Sequence, residues 1–183
     1  LLLLIIKCLN VKKIKKVLIS VYNKLKIVQT AKILQERGVE IISTGGTQKI
    51  LQKNNISVTA VEDLTEYPSI LGGRVKTLHP KLFGGILNRS DNHQDEAEMK
   101  KFNISKIDMV IVDLYPFVET IKQTNNHSDI IEKIDIGGVS LIRAAAKNYK
   151  DILIVPSINE LDSICDLLVK KDGFTSIDDR LFF

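Results

Sequence analysis

The sequence contains no tryptophan, and aromatic residues make up only 5% of its 183 positions. Proteins that track nucleic-acid strands set stacking rings beside their cations. General nucleic-acid binding is therefore disfavoured, although the formal net charge is +4. Apart from Lys12, Lys13, Lys15 and Lys16 the basic residues are dispersed, and an anionic small molecule suits such a charge equally well. Cysteine is scarce too: Cys8 and Cys165 stand far apart with no CxxC pair. That disfavours zinc or disulfide chemistry and reads as reduced thiols in a cytoplasmic protein. His79, His93 and His127 lack the i, i+4 spacing that sets two imidazoles on one helical face, so no metal is expected. No apolar run is long enough to span a bilayer. The Leu and Ile run of residues 1–6 is too short, and its lysines follow it rather than precede it as in a secretory signal. No membrane partner is expected, and residues 1–14 are expected to be a poorly ordered extension outside the fold.

What remains is ample for a core. A chain that is 44% hydrophobic and 26% charged fits one compact domain. Short apolar runs at residues 16–21, 39–42, 58–61, 107–114 and 152–155 read as buried strands, and amphipathic stretches between them read as helices. Asn23 is an expected cap for the first helix, with Gly38 as its stop; Ser157 is expected to cap the helix of residues 157–170. A short helix of residues 80–87 is weakened by Gly84 and Gly85, at about 1 kcal/mol per glycine. The alternation predicts an α/β fold: a single three-layer domain with a mostly parallel central sheet and helices on both faces.

The polar motifs follow the strands. Residues 72–80, Gly-Gly-Arg-Val-Lys-Thr-Leu-His-Pro, place Arg74, Lys76 and Thr77 in a glycine-opened loop. A planar fork, a point charge and a hydroxyl suit a phosphorylated substrate; a solvated turn is the bland alternative. Residues 43–47, Ser-Thr-Gly-Gly-Thr, end one strand and open a helix, so Thr44, Gly45, Gly46 and Thr47 can offer amide N–H groups to phosphate. Asp113 and Tyr115 end the strongest strand, where doubly wound sheets bind ligands. Residues 134–138, Ile-Asp-Ile-Gly-Gly, precede a helix on which Arg143 and Lys147 share one face. These clusters, with Ser20 and Lys24, are expected to converge at one end of the sheet. Each has a plainer account: Asp135 as a helix cap, Tyr115 as a buried ring beside Pro116, Lys147 as a solvated helix lysine.

Taken together, the motifs resemble the inosine monophosphate cyclohydrolase domain of the bifunctional purine-biosynthesis protein that also carries a formyltransferase. They are Ser-Val-Tyr-Asn-Lys from Ser20, Ser-Thr-Gly-Gly-Thr from Ser43, the stretch from Gly72, Leu-Tyr-Pro-Phe from Leu114, and Ile-Asp-Ile-Gly-Gly with Arg-Ala-Ala-Ala-Lys-Asn. The resemblance covers nearly the whole chain. It implies a methylglyoxal synthase-like fold, a small-molecule nucleotide substrate and no cofactor, and it leaves a homodimer open. The implied reaction closes the purine ring of 5-formamidoimidazole-4-carboxamide ribonucleotide with loss of water. By motif, Lys76 and Lys147 look like the cationic pair at the reacting groups, Asp135 like the carboxylate that handles the amide proton, and Tyr115 like the donor to the formyl oxygen. Ser20, Lys24, Thr44, Gly45, Gly46, Thr47, Arg74, Thr77, Asp113 and Gly137 look like the substrate cradle.

The chain departs from the family pattern at Asn23, where Asp is usual, at Leu25 and Lys26, where Thr-Gly is common, and at Asp113, where Asn is usual. An ionised Asp113 cannot donate the hydrogen bond that an amide can. No stretch matches the formyltransferase half, so that activity is not expected, and residues 176–183 are expected to begin a connector. Two rival readings are a methylglyoxal synthase and a nucleotide-sensing regulatory domain of the same fold. Joint presence of Lys76, Asp135 and Lys147 argues for catalysis over sensing.

Overall fold

The computed structural model describes residues 11–183. Its centre is a parallel sheet of five strands: β2 (Lys16–Val21), β3 (Glu40–Ser43), β4 (Thr59–Ala60), β5 (Met109–Asp113) and β6 (Leu153–Val155). Their spatial order is β4-β3-β2-β5-β6. The order runs outward in both directions from β2, so the chain reverses course between β2 and β5, where Val17 pairs with Met109 and Val21 with Asp113. That reversal is the switch point at which open α/β sheets form a crevice beyond the strand C-termini.

Alternation along each strand builds the layers. Val17, Ile19, Ile41, Met109, Ile111, Leu153 and Val155 face one core, with α1 (Ile27–Glu36) and α9 (Leu161–Lys170) against them. Leu18, Ile42, Val110, Val112 and Ile154 face the other, under α4 (Pro80–Leu87) and α8 (Gly137–Lys147). Burying each such side chain stabilises the fold by roughly 1.5–3 kcal/mol. The remaining helices are α2 (Gly45–Lys53), α3 (Val61–Thr65), α5 (His93–Lys101), α6 (Phe117–Gln123), α7 (His127–Ile131) and α10 (Ile177–Phe182). Among the described residues no helix is long and apolar enough to cross a membrane. The three-layer α/β architecture is the expected one.

Several boundaries differ for local reasons. Asn23 does not cap α1; its Oδ1 accepts from the Leu25 N–H at 2.9 Å, a local turn that delays the helix until after Lys26 at φ 65°. Val61 opens α3 rather than ending a strand. Ser157 caps a 3-10 turn, Ile158–Glu160, by accepting from the Asn159 N–H, and α9 follows it. Gly85 in α4 is there for contact: a Cβ on it would stand 2.4 Å from the Ser105 carbonyl oxygen. The Asn148 side-chain amide then donates to the Ile86 and Asn88 carbonyls, each at 2.8 Å, tying α8 to the end of α4.

The termini are corrected as well. Residues 1–10 of the expected extension lie outside the described residues, as does Cys8, but the rest of it belongs to the fold. β1 (Lys12–Lys13) pairs antiparallel with β7 (Phe174–Thr175), and Ile14 is buried in the first core. The expected connector also folds back. Helix α10 starts with a capping box between Ser176 and Asp179, and Arg180, 2% exposed, donates to the Thr175 and Tyr149 carbonyls at 2.9 and 3.1 Å.

Candidate active site

Above the C-terminal ends of β2, β3 and β5 lies a cavity of about 500 Å³. It is entered by the turn after β2, the N-terminus of α2, the loop of residues 72–77, the end of β5 and the segment from α7 into α8.

One side is built to receive an anion. Thr44, the N-cap of α2, donates its hydroxyl to Glu62 at 3.2 Å rather than accepting from the helix's first amides. Those N–H groups are left without a side-chain cap at the positive end of the helix dipole, where Thr44, Gly46 and Thr47 line the cavity. Thr47 is locked by donating to the Val21 carbonyl at 3.1 Å. Two lysine side chains crown this helix end: a Cβ on Gly45 would lie 3.7 Å from Lys76 Nζ, and one on Gly46 would lie 3.7 Å from Lys24 Cε. Lys24 donates to the Val21 and Tyr22 carbonyls. Burial holds its pKa below the ordinary lysine value; nearby Asp113 opposes that shift and the Lys76 charge deepens it. Lys76 is half-buried and makes no hydrogen bond or ion pair with a described residue. The loop that carries it turns through Gly72 at φ 67° and Gly73 at φ 91°.

The other side carries groups suited to proton transfer and hydrogen bonding. Asp135 Oδ1 accepts from the Gly138 N–H at 2.6 Å, which anchors the carboxylate while Asp135 itself lines the cavity. Gly137 and Gly138 permit this closeness: a Cβ on Gly137 would stand 2.7 Å from Thr77 Oγ1, and one on Gly138 2.8 Å from Asp135 Oδ2. Tyr115 faces the cavity, its ring edge-to-face with Tyr22 at 5.4 Å and 79°. Asp113 accepts from the Asn23 N–H at 2.8 Å. That is an acceptor's task, which an Asn side-chain oxygen performs as well, so this contact does not need the donor that Asp113 lacks.

Of the residues singled out in the sequence, Ser20, Lys24, Thr44, Gly46, Thr47, Arg74, Lys76, Thr77, Asp113, Tyr115, Asp135 and Gly137 line this cavity. Gly45 is beside it, under Lys76. Lys147 is not brought in. It sits exposed at the far end of α8, roughly 15 Å along the axis from Gly137 at 1.5 Å per residue. The Arg-Ala-Ala-Ala-Lys-Asn stretch is largely a packing device, with Ala144 and Ala145 buried and Asn148 tied to α4. Arg74 lines the cavity but already pairs with Glu132. Tyr22, Glu132, Ile134 and Ile136 line the cavity, with Lys133 behind Tyr22 and Tyr115, and motif reasoning missed all five. Tyr22 lies inside a motif, and Glu132 and Lys133 stand three and two residues before Asp135, but nothing in their spacing sets them apart from the dispersed charges and rings of the surface.

The family model for the MGS-like domain matches residues 26–140. The chain is 53% identical over 169 residues to the bifunctional purine biosynthesis protein PurH of Bacteroides thetaiotaomicron, covering 92% of this chain and 33% of that protein. It is 52% identical over 152 residues to PurH of Petrotoga mobilis, covering 82% of this chain and 30% of that protein. The chain thus spans about a third of the length of the curated relatives it matches. Among solved structures it is similar to the crystal structure of ForH, with a TM-score of 0.76 and 30% identity over 91% of this chain and 87% of that one. The fold, the strand-end cavity and these matches agree that the chain belongs to the family of MGS-like domains.

Proposed function

We propose that the chain is an inosine monophosphate cyclohydrolase acting in purine biosynthesis. The observation that carries this reading is one cavity in which an uncapped helix end crowned by Lys24 and Lys76 faces a wall holding Asp135 and Tyr115. The names of the relatives supply the pathway. The phosphate of 5-formamidoimidazole-4-carboxamide ribonucleotide sits on the amides of α2, with Lys24 and Thr47 beside it.

The carboxamide nitrogen attacks the formyl carbon. Its lone pair is delocalised, so attack needs the N–H proton removed and the developing formyl oxyanion stabilised. Asp135, held by the Gly138 amide, takes the proton. Lys76 and the Tyr115 hydroxyl stabilise the oxygen. That oxygen takes back the proton held by Asp135 and a second one from the formamido nitrogen, and leaves as water while the C=N bond of the new ring forms.

A nucleotide sensor of the same fold is the second reading, favoured by the position of Lys147 outside the cavity. Incubating the chain with the formamido ribonucleotide and following inosine monophosphate by absorbance separates the two. Product formation supports the enzyme; a folded sample that binds inosine monophosphate and makes none supports the sensor.

A further inference from the structure

We propose that Lys133 and Tyr22 are positioning residues that set the attitude of Tyr115 in the cavity wall. Lys133 Nζ lies 5.1 Å from the centre of the Tyr22 ring and 5.5 Å from that of Tyr115, while the two rings meet edge to face. Lys133 is half-buried; its backbone N–H donates to the Ile130 carbonyl at 3.0 Å, while its ammonium makes no hydrogen bond or ion pair among the described residues. Its contacts are the two π faces, to which a cation is drawn by the ring quadrupole. The three side chains come from three separate places: the turn after β2, the end of β5, and the turn between α7 and Asp135.

The cluster matters because little else restrains its members. Tyr22 and Tyr115 are 43% and 39% exposed. Helices α6 and α7, which lead to Lys133 and Asp135, contain no buried residue. Without the cation, the Tyr115 ring is held on one side by a single ring edge, and the approach to Asp135 loses a contact with the sheet. Lys133 does not itself line the cavity, so it acts through Tyr115. Its influence falls on the step in which the hydroxyl meets the developing charge, not on phosphate binding at α2.

This inference rests on the cyclohydrolase reading for its kinetic effect and on geometry alone for its effect on ring order, and the test keeps them apart. Lys133→Met is expected to lower kcat about 5- to 10-fold with KM changed less than about 2-fold, the size of one modest contact. Lys133→Arg should restore kcat, since a guanidinium also sits on aromatic faces. Tyr22→Ala should match Lys133→Met, Tyr22→Phe should not, and the double variant should lose little more than either single one because the groups act as a unit. A loss confined to KM, or a failure of Arg to rescue, overturns the proposal. If the wild-type protein makes no product, the cyclohydrolase reading falls, and the clamp is still decided by NMR of 13C-tyrosine-labelled protein. The ring signals of Tyr22 and Tyr115 should be separate and ordered in wild type and Lys133→Arg, and averaged in Lys133→Met. Identical spectra overturn it.

Discussion

The two ends of the central sheet handle charge in opposite ways. At the end where the strands begin, Asp108 accepts from the Lys15 and Lys16 amides at 2.9 and 3.0 Å. Asp151 pairs with Lys12, and Ser90 receives both Lys12 and Lys106 at 3.1 and 2.5 Å. Burial works against the Asp151 charge, yet hydrogen bonds from Lys12 and Ser90 bring its carboxyl below the usual range. At the end where the strands finish, Lys24 and Lys76 crowd an uncapped helix terminus, and Lys76 has no carboxylate partner among the described residues. One end answers its carboxylates internally and contributes to holding the fold, with Lys106 beside them, its pKa lowered by burial and by the Lys12 charge. The other keeps like charges close together, an arrangement whose cost an incoming anion relieves.

The largest test of that contrast exchanges one charge at each end. Lys76→Met and Asp135→Asn are expected to lower turnover by roughly 10²-fold or more while leaving the melting temperature nearly unchanged. Asn at 135 keeps the acceptor that caps Gly138 and removes only the base. Asp151→Asn should do the reverse, lowering the melting temperature and sparing turnover. Steady-state kinetics and thermal unfolding on the three variants check it; a stability loss in Lys76→Met as large as that in Asp151→Asn would erase the difference between the ends.

How much of this was legible beforehand follows the same division. The five strands and the convergence of their following motifs could be read, because apolar runs punctuated by glycine and hydroxyl turns depend on local chemistry. So could Lys24, Lys76, Thr77 and Asp135, whose residue types advertise binding or proton transfer. Pairings across long sequence separations could not be read. Nothing local shows that Thr175 meets Lys12 or that Arg180 turns inward, so both ends of the chain were read as lying outside the fold. Lys147 lies outside this cavity because a motif carries order along the chain but not distance, and a continuous helix takes its last turn away from its first. Lys133 and Tyr22 were missed because an aromatic–cation contact has no spacing signature.

A middle-sized effect concerns Lys24 and pH. A bound phosphate draws the Lys24 pKa back up toward the ordinary lysine value, so binding takes up a proton between the free and bound pKa values. Affinity for inosine monophosphate should therefore fall as pH rises through a window that opens below the usual lysine range. Lys24→Arg, charged throughout, should flatten the curve. Calorimetry across pH measures both, and a wild-type curve as flat as the variant's refutes the role. In the free protein the sign is opposite: the folded state loses this proton before the unfolded one, so stability rises with pH across the interval between those two pKa values.

Lys147 ranks lower on geometry. Lys147→Ala should reduce turnover less than about 10-fold, because its ammonium lies off the cavity and surface substitutions of this kind usually change little. A loss matching Lys76→Met, measured in the same assay, would mean that Lys147 reaches the reacting groups by an arrangement that a single copy of the chain does not contain.

The smallest expected effect sharpens the contrast most finely, because it asks whether the strand-end site restrains one of its own cations. Arg74 lines the cavity, yet its guanidinium pairs with Glu132, and the side chains are 63% and 57% exposed. The pair's hydrogen bond, more than its charge attraction, holds the Arg74 pKa above the ordinary value. A solvated pair of this kind contributes little to stability, so removing Glu132 should barely move the melting temperature. For a phosphate, however, Glu132 is a competitor: Arg74 must leave one anion to meet another. Glu132→Gln should therefore tighten inosine monophosphate binding about 2- to 3-fold, a few tenths of a kcal/mol, as the worth of an exposed ion pair allows. Inosine, which lacks the phosphate, should bind equally to both proteins. Calorimetry with the two ligands decides the point. Tighter binding of the nucleotide alone would identify Arg74 as a phosphate ligand held in check, whereas weaker binding would show that Glu132 positions Arg74 for the ligand and that the pair belongs with the satisfied charges of the opposite end.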